Sequence, residues 1–366
     1  RVTTSISEGY FLHRKAVGDE SLALCYMPRS RGSLVNSRSR YNGASGDYYR
    51  MIAKANRERA EEVIMKNCLA LVLGGGGARG ALQVGALRAL FEAGYQPDLL
   101  VGTSIGSVNA AGLALWGVNL EGVRALEHAY QDAANSKLMD PRLARFALKA
   151  MSLHSDQRAS RQIAKFLISQ GVTPDLRFAQ ITNVRLGLIG ADLDTGEPVI
   201  YGLHPEQSVL EGVLASTALQ PWFSPIEKDG HCIVDGGAVS CLPVEPAMAL
   251  GATEIIALDL NDPNGMLDLD NRQDQYMEKL VYSVTHRQTV VEMALAAERN
   301  VTVQHILLKS SPPVPIWDFS KHQELIRVGY EIARQSVADW LSRDQFAPGI
   351  AHRRMFLEEQ LHGKAS

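Results

Sequence analysis

Two hydrophobic patterns alternate along the chain. Short continuous apolar runs, Cys68-Leu69-Ala70-Leu71-Val72-Leu73, Leu99-Leu100-Val101 and Ile255-Ile256-Ala257-Leu258, have the length of strands buried on both faces of a parallel sheet. Between them apolar positions recur at helical spacing, which predicts helices over 81–93, 107–116, 120–134, 157–170, 272–300 and 321–341, with one more after Pro141. In the 157–170 stretch Ile163, Phe166 and Leu167 share a face, the mark of burial against a core. Two hairpins interrupt the alternation. One joins 185–192 to 198–201 through Asp194-Thr195-Gly196, and the other spans 226–234 with its turn at Asp229-Gly230. A helix near 206–214 lies between them; a short helix from Pro246 to the stop at Gly251 and a strand over 303–308 follow. The pattern predicts an α/β fold, a mostly parallel central sheet in a three-layer α/β/α sandwich, with helical insertions and a helical C-terminal region.

Outside that pattern lie the ends. Residues 1–47 are rich in Ser, Arg and Gly without periodicity and read as a mobile, solvated extension, followed by a helix over Tyr48–Met65. The predicted organisation is an N-terminal extension over 1–67, a catalytic core over 68–260, a helix-strand-helix continuation over 261–346 and a tail over 347–366. With 366 residues, 46% hydrophobic and 21% charged, the chain is long enough to bury a full core. A net charge of −3 excludes global attraction to nucleic acid, and no apolar run reaches membrane-spanning length. Cys25, Cys68, Cys232 and Cys241 lack C-x-x-C spacing, which argues against structural zinc and fits reduced thiols in a cytoplasm. No His/Asp/Glu cluster has ligand spacing, so neither a metal nor another cofactor is expected. Neither charge nor motif sets an oligomeric state.

Candidate chemistry sits at the ends of the apolar runs. The second run enters Gly102-Thr103-Ser104-Ile105-Gly106, the G-x-S-x-G spacing of a nucleophile elbow. Glycines two before and two after the serine relieve collisions in the sharp strand-to-helix turn, and a strained backbone pushes the serine oxygen into the open. The following helix aims its N-terminal N–H groups at charge developing near that oxygen. The first run ends in Gly74-Gly75-Gly76-Gly77-Ala78-Arg79-Gly80 before a helix, a cradle of N–H groups for an anion. A P-loop would need Gly-Lys-Ser/Thr, which is absent. A dinucleotide site fits G-x-G-x-x-G at 75–80, but Asp98 precedes the second run, where it cannot reach a ribose. An oxyanion hole facing the serine is the third reading, and it is favoured because neighbouring strands would bring loop and serine to one sheet edge. Downstream, Asp235-Gly236-Gly237 closes the second hairpin, either as a carboxylate at a sheet edge or as a type I′ or II turn that the aspartate caps.

Gly75 to Gly80, Gly102 to Gly106 and Asp235-Gly236-Gly237, in that order, resemble the patatin-like phospholipase family. Ala215-Ser216-Thr217-Ala218, followed by Pro221 and Phe223, is similar to the family's small-residue segment before the aspartate, although Leu219-Gln220 intervene before Pro221. The resemblance covers about 69–260 and implies hydrolysis of glycerolipid acyl esters by a serine–aspartate dyad without a histidine. It makes Ser104 the nucleophile and Asp235 its base. The N–H groups of Gly75, Gly76, Gly77, Ala78, Arg79 and Gly80 become the oxyanion hole. The implied partner is a glycerolipid or other acyl ester, met through peripheral membrane contact.

A triad in the order Ser…Asp…His would draw on His286, His305, His322, His352 or His362. His286 falls in a predicted helix and His305 in an apolar strand, where histidines are more often packed, so the dyad is favoured. An aspartate acting as base needs its proton affinity raised by burial. Arg79 either orients the loop, neutralises a lipid phosphate, or pairs on the surface. The alternative function is a non-catalytic lipid- or acyl-chain-binding protein on the same fold.

Overall fold

The apolar runs become strands of one sheet. The computed structural model describes residues 67–136, 157–220, 223–262 and 272–342. Contacts divide the chain into residues 1–41 and 42–366, and every described residue belongs to the second unit. The predicted helices over 48–65 and after Pro141, Pro221 itself, and the tail from 347 lie outside the described residues.

The strands are β1 (Leu69–Leu73), β2 (Leu99–Thr103), β3 (Arg185–Asp192), β4 (Glu197–Tyr201), β5 (Ile226–Lys228), β6 (His231–Asp235), β7 (Glu254–Asp259) and β8 (Thr302–Leu307). Their order is β5-β6-β3-β2-β1-β7-β8, with β4 also on β3. Strands β3, β2, β1, β7 and β8 are parallel, the two predicted hairpins are antiparallel, and so is the β3–β6 pair that joins the second hairpin to the sheet. The described α-helices are α1 (Gly80–Glu92), α2 (Ile105–Trp116), α3 (Leu120–Ser136), α4 (Gln157–Ser169), α5 (Val209–Ser216), α6 (Val244–Ala249), α7 (Arg272–Glu298) and α8 (His322–Ser342).

Period-two alternation splits the sheet's side chains between two cores. Leu69, Leu71 and Leu73 pack with Leu82 of α1, Leu113 of α2, Leu126 of α3 and Leu325 of α8. Ala70, Val72 and Val101 pack instead with Val244 of α6 and Ala296 of α7. Helices therefore cover both faces, giving the three-layer α/β/α architecture predicted for the chain. Against α1, helix α8 lies close enough for backbones to touch: a Cβ at Gly85 would stand 1.9 Å from the Ile326 carbonyl, and one at Gly329 1.9 Å from that of Leu82.

Candidate active site

Strand register brings Ser104 and Asp235 together. On β3, Ile189 pairs with Thr103 of β2 on one edge and Ile200 of β4 on the other. One residue on, Gly190 pairs with Val199 of β4 and Asp235 of β6. Since β4 keeps its edge, β2 and β6 share the opposite one and meet end to end. The last residue of β6, Asp235, and the residue after β2, Ser104, thus meet at Ile189–Gly190, although 131 positions separate them in the sequence.

Ser104 has φ 55° and ψ −124°, a left-handed conformation for a residue with a side chain. Its neighbours make that turn possible. A Cβ at Gly102 would lie 2.3 Å from the Gly106 carbonyl oxygen, and one at Gly106 2.0 Å from that of Leu73 on β1. Ser216 pins the elbow: its hydroxyl accepts the Ser104 N–H at 2.9 Å and donates to the Ile189 carbonyl at 2.6 Å. Ser107 donates to the Ser104 carbonyl at 2.6 Å, and Thr103 to the Ser240 carbonyl at 2.9 Å.

Asp235 is buried, with Oδ1 accepting the Gly237 N–H at 2.8 Å. Oδ2 is buried and has no partner at full hydrogen-bond geometry among the described residues. Burial pushes the carboxyl pKa from 3.8 up to about 6, opposed by the neighbouring Ser104 hydroxyl and the Gly237 N–H. The Ser104 hydroxyl therefore neighbours the carboxyl without closing a hydrogen bond of full geometry. The aspartate turn is neither type I′ nor type II. Residues Gly236–Ala238 form a 3-10 turn capped by Asp235, and Gly236 is required by close approach, since its Cβ would lie 2.3 Å from the Ile189 carbonyl.

Not every N–H of the glycine loop is available. Gly75 donates to Cys241 at 2.9 Å, Ala78 to Ile316 at 2.6 Å, Arg79 to Gly76 at 3.3 Å, and Gly80 to Gly77 and Ala78. Those of Gly76 and Gly77 make no backbone bond among the described residues, and these two are the half-exposed glycines of the loop. Beneath the loop, buried Gln83 donates to the Gly74 carbonyl at 2.8 Å and the Leu258 carbonyl at 3.2 Å. Asn109 of α2 donates to Gly80 and to Gln83 Oε1, and accepts from the Tyr130 hydroxyl. The Arg79 side chain folds back, with Nε donating to the Gly76 carbonyl at 3.3 Å.

A slender apolar cavity of about 130 Å³ opens beside Ser104 and Gly77. It follows the face of α2 bearing Val108, Gly112 and Trp116, and is walled by Leu126 of α3 and Phe166 of α4. Phe223, from the segment before the aspartate, also lines it.

The described candidate histidines are engaged elsewhere. His286 stacks on Tyr282, His305 pairs with Asp259 at 2.9 Å, and His322 bonds Phe319 and Gln131. Asp98 accepts the Leu69 N–H at 2.9 Å, at the start of β1 and the opposite edge from the glycine loop. Linear spacing missed one cluster: the β3–β6 pairing brings Asp192, Asp194 and His231 within 4.8 Å of one another. All three are already held, His231 by Asp192, Asp192 by the Asp194 N–H, and Asp194 by the Cys232 N–H.

Residues with no motif of their own complete the site. Glu292 of α7 accepts from the Ser240 hydroxyl at 2.7 Å and the Glu245 N–H at 2.7 Å, bracing the loop after Asp235 from behind. Gln83 and Asn109 carried one signal: polar residues on otherwise apolar helix faces.

A sequence profile described as "Patatin-like phospholipase" matches residues 71–248. The human protein named patatin-like phospholipase domain-containing protein 6 is 28% identical over 318 residues, covering 81% of this chain and 22% of that one. Lysophospholipase NTE1 of Candida albicans is 24% identical over 318 residues, covering 82% of this chain and 22% of its own. This chain thus spans about a fifth of the length of the curated relatives it matches. Among solved structures, VipD from Legionella pneumophila aligns with a TM-score of 0.38 and 13% identity, over 75% of this chain and 67% of that one. The matched stretch holds the glycine loop, the elbow and the aspartate turn in one continuous frame, and through it this chain belongs to the patatin-like phospholipase family.

Proposed function

We propose that the protein hydrolyses carboxylic esters of glycerolipids, with Ser104 as nucleophile and Asp235 as its base. The observation that carries this is the strained Ser104 at the mouth of an apolar chamber, facing a buried carboxylate oxygen without a partner. An acyl chain lies in the chamber and presents its carbonyl to Ser104. Oγ attacks the carbonyl carbon as its proton passes to Asp235 Oδ2. A carboxyl with a pKa near 6 is a far better acceptor than an ordinary aspartate, yet is ionised at neutral pH. The tetrahedral oxyanion is held by the N–H groups of Gly76 and Gly77, a narrower hole than the whole glycine loop, with the α2 N-terminus adding its dipole. Collapse breaks the ester C–O bond and the leaving alcohol takes the proton from Asp235. Water then gives its proton to Asp235 and attacks the acyl-Ser104. Breakdown returns the proton to Ser104 and releases the fatty acid.

We read residues 68–260 as the catalytic core and 261–346 as its continuation, since β8 extends the sheet and α8 packs on α1. Substrate is met at a membrane surface; among the described residues no helix is long and apolar enough to cross a bilayer.

The test is a lipid-ester panel with Ser104→Ala and Asp235→Asn beside the wild type, each shown folded by circular dichroism. Loss of turnover in both, with fluorophosphonate labelling of the wild type alone, is expected. Full turnover in either folded variant rejects the mechanism. A wild type that binds acyl chains but neither labels nor turns over would instead be a lipid-binding protein.

A further inference from the structure

The cavity has a far end, and its residues bear on which acyl chains fit. Helix α2 starts immediately after Ser104 and runs along the chamber. At 1.5 Å per residue, Gly112 lies about 12 Å and Trp116 about 18 Å along it from the serine. The walls confirm that sense of depth. Near the serine, Tyr130 of α3 bonds Asn109, whereas Leu126, one turn earlier on α3, faces Gly112. At the C-terminal end of α4, a Cβ on Gly171 would meet Leu115, the neighbour of Trp116.

Gly112 is a buried glycine inside a helix, a choice that is unfavourable against alanine and calls for a reason. A Cβ there would stand 2.8 Å from the Trp116 ring and 2.9 Å from Leu126, and all three residues line the cavity. Trp116 ends α2 and is half-buried, with part of its surface on the chamber and the rest toward solvent. The Trp116 ring and Leu126 thus occupy the space that a side chain at 112 would need.

We propose that Gly112 and Trp116 form an acyl-length stop: the Trp116 ring ends the chamber, and the bare backbone at Gly112 gives that ring and Leu126 the space they occupy, which leaves the channel between them open to the distal methylenes of one long chain. This rests on Ser104 as the esterase nucleophile. A side chain at 112 drives the Trp116 ring and Leu126 into the last part of the channel, and removing the ring at 116 opens it. The chamber is apolar along its length, so chain recognition is additive in methylenes, at about fourfold in affinity per buried methylene.

The experiment measures kcat/KM for monomeric p-nitrophenyl butyrate, octanoate, laurate and palmitate with wild type, Gly112→Val, Trp116→Ala and Ser104→Ala. The expected result is a palmitate-to-butyrate ratio at least about 50-fold lower in Gly112→Val, from losing three or more methylene contacts. In Trp116→Ala the ratio is expected to shift the opposite way, toward longer chains. Unchanged ratios in both variants overturn the proposal, including the case where both lose rate equally at every length. If Gly112→Val does not fold, the direction of the Trp116→Ala ratio decides alone. Failure of the esterase reading is distinct: Ser104→Ala would then retain the wild-type rates at all lengths.

Discussion

Replacing Asp235 with asparagine should stabilise the protein above pH 6 while abolishing turnover. The magnitude follows from the site. Burial raises the carboxyl from 3.8 to about 6 in the fold. A rise of about two units corresponds to about 3 kcal/mol. Because the folded pKa lies above the unfolded one, the contribution is fully present below pH 4, where both states are protonated. It is lost as pH rises through 6, where the fold must hold a buried charge. Asparagine never ionises, its carbonyl can still accept the Gly237 N–H, and its amide can donate to the Ser104 hydroxyl. With imperfect amide geometry discounted, Asp235→Asn should exceed the wild type by about 2 kcal/mol at pH 8 and match it near pH 4. Thermal unfolding would place that at a melting temperature about 3–6 °C higher at pH 8. Comparing the two proteins at each pH cancels other buried acids, notably Glu292, whose carboxyl burial pushes up to about 7. A pH-independent difference, or a variant less stable than wild type at pH 8, would refute the claim that Asp235 is held under strain by burial. Turnover by the wild type should fall on acidification with an apparent pKa near 6, since only the ionised carboxylate accepts the Ser104 proton.

Two further substitutions probe the supports. Gln83→Leu removes the donor shared by the Gly74 and Leu258 carbonyls and orphans an Asn109 N–H, so a loss of about 2–4 kcal/mol is expected from denaturant unfolding. An unchanged midpoint would mean that water replaces the network. Glu292→Ala frees the Ser240 hydroxyl and hence the carbonyl that holds Thr103, so kcat should fall about tenfold with KM little changed. A rise in KM alone, at constant kcat, would show that the loop serves binding instead.

The elbow at Gly102–Gly106 was legible because its constraints are local. Gly102 and Gly106 answer to backbone atoms within the turn and on the adjacent strand, so five consecutive residues carry the whole signal. The helices and both hairpins were legible from periodicity and turn chemistry for the same reason. What periodicity could not supply is which residues close the site from afar. Ser216 reaches Ser104 across 112 positions, and Thr103 reaches Ser240 across 137. Neither serine has a spacing that announces it, because the contact arises only when β2 and β6 meet along β3. The oxyanion expectation shows the same limit. Composition nominated the whole glycine loop, but which N–H groups stay free depends on carbonyls at Cys241 and Ile316. Likewise, Asp192, Asp194 and His231 are brought together by strand pairing and not by linear spacing.

Some of the supports come from outside the family match. Ile316 takes the Ala78 N–H, and Glu292 and Gln288 hold the loop that follows Asp235. All three come from beyond residue 248, where the family match ends. The matched stretch contributes the groups proposed to react and the strand register that joins them, and contacts from outside it brace them further. That division is physically reasonable. A serine in a left-handed conformation and a carboxylate raised to about 6 each store free energy of order 1–3 kcal/mol, and such strain persists only where neighbouring structure resists its release. Helix α7 supplies that resistance on the aspartate side, and the Ile316 segment supplies it on the glycine side. The two clamps bear on different loops, one before α1 and one after β6, so loosening either one should relax one half of the pair while leaving the elbow's own geometry, fixed by Gly102 and Gly106, in place.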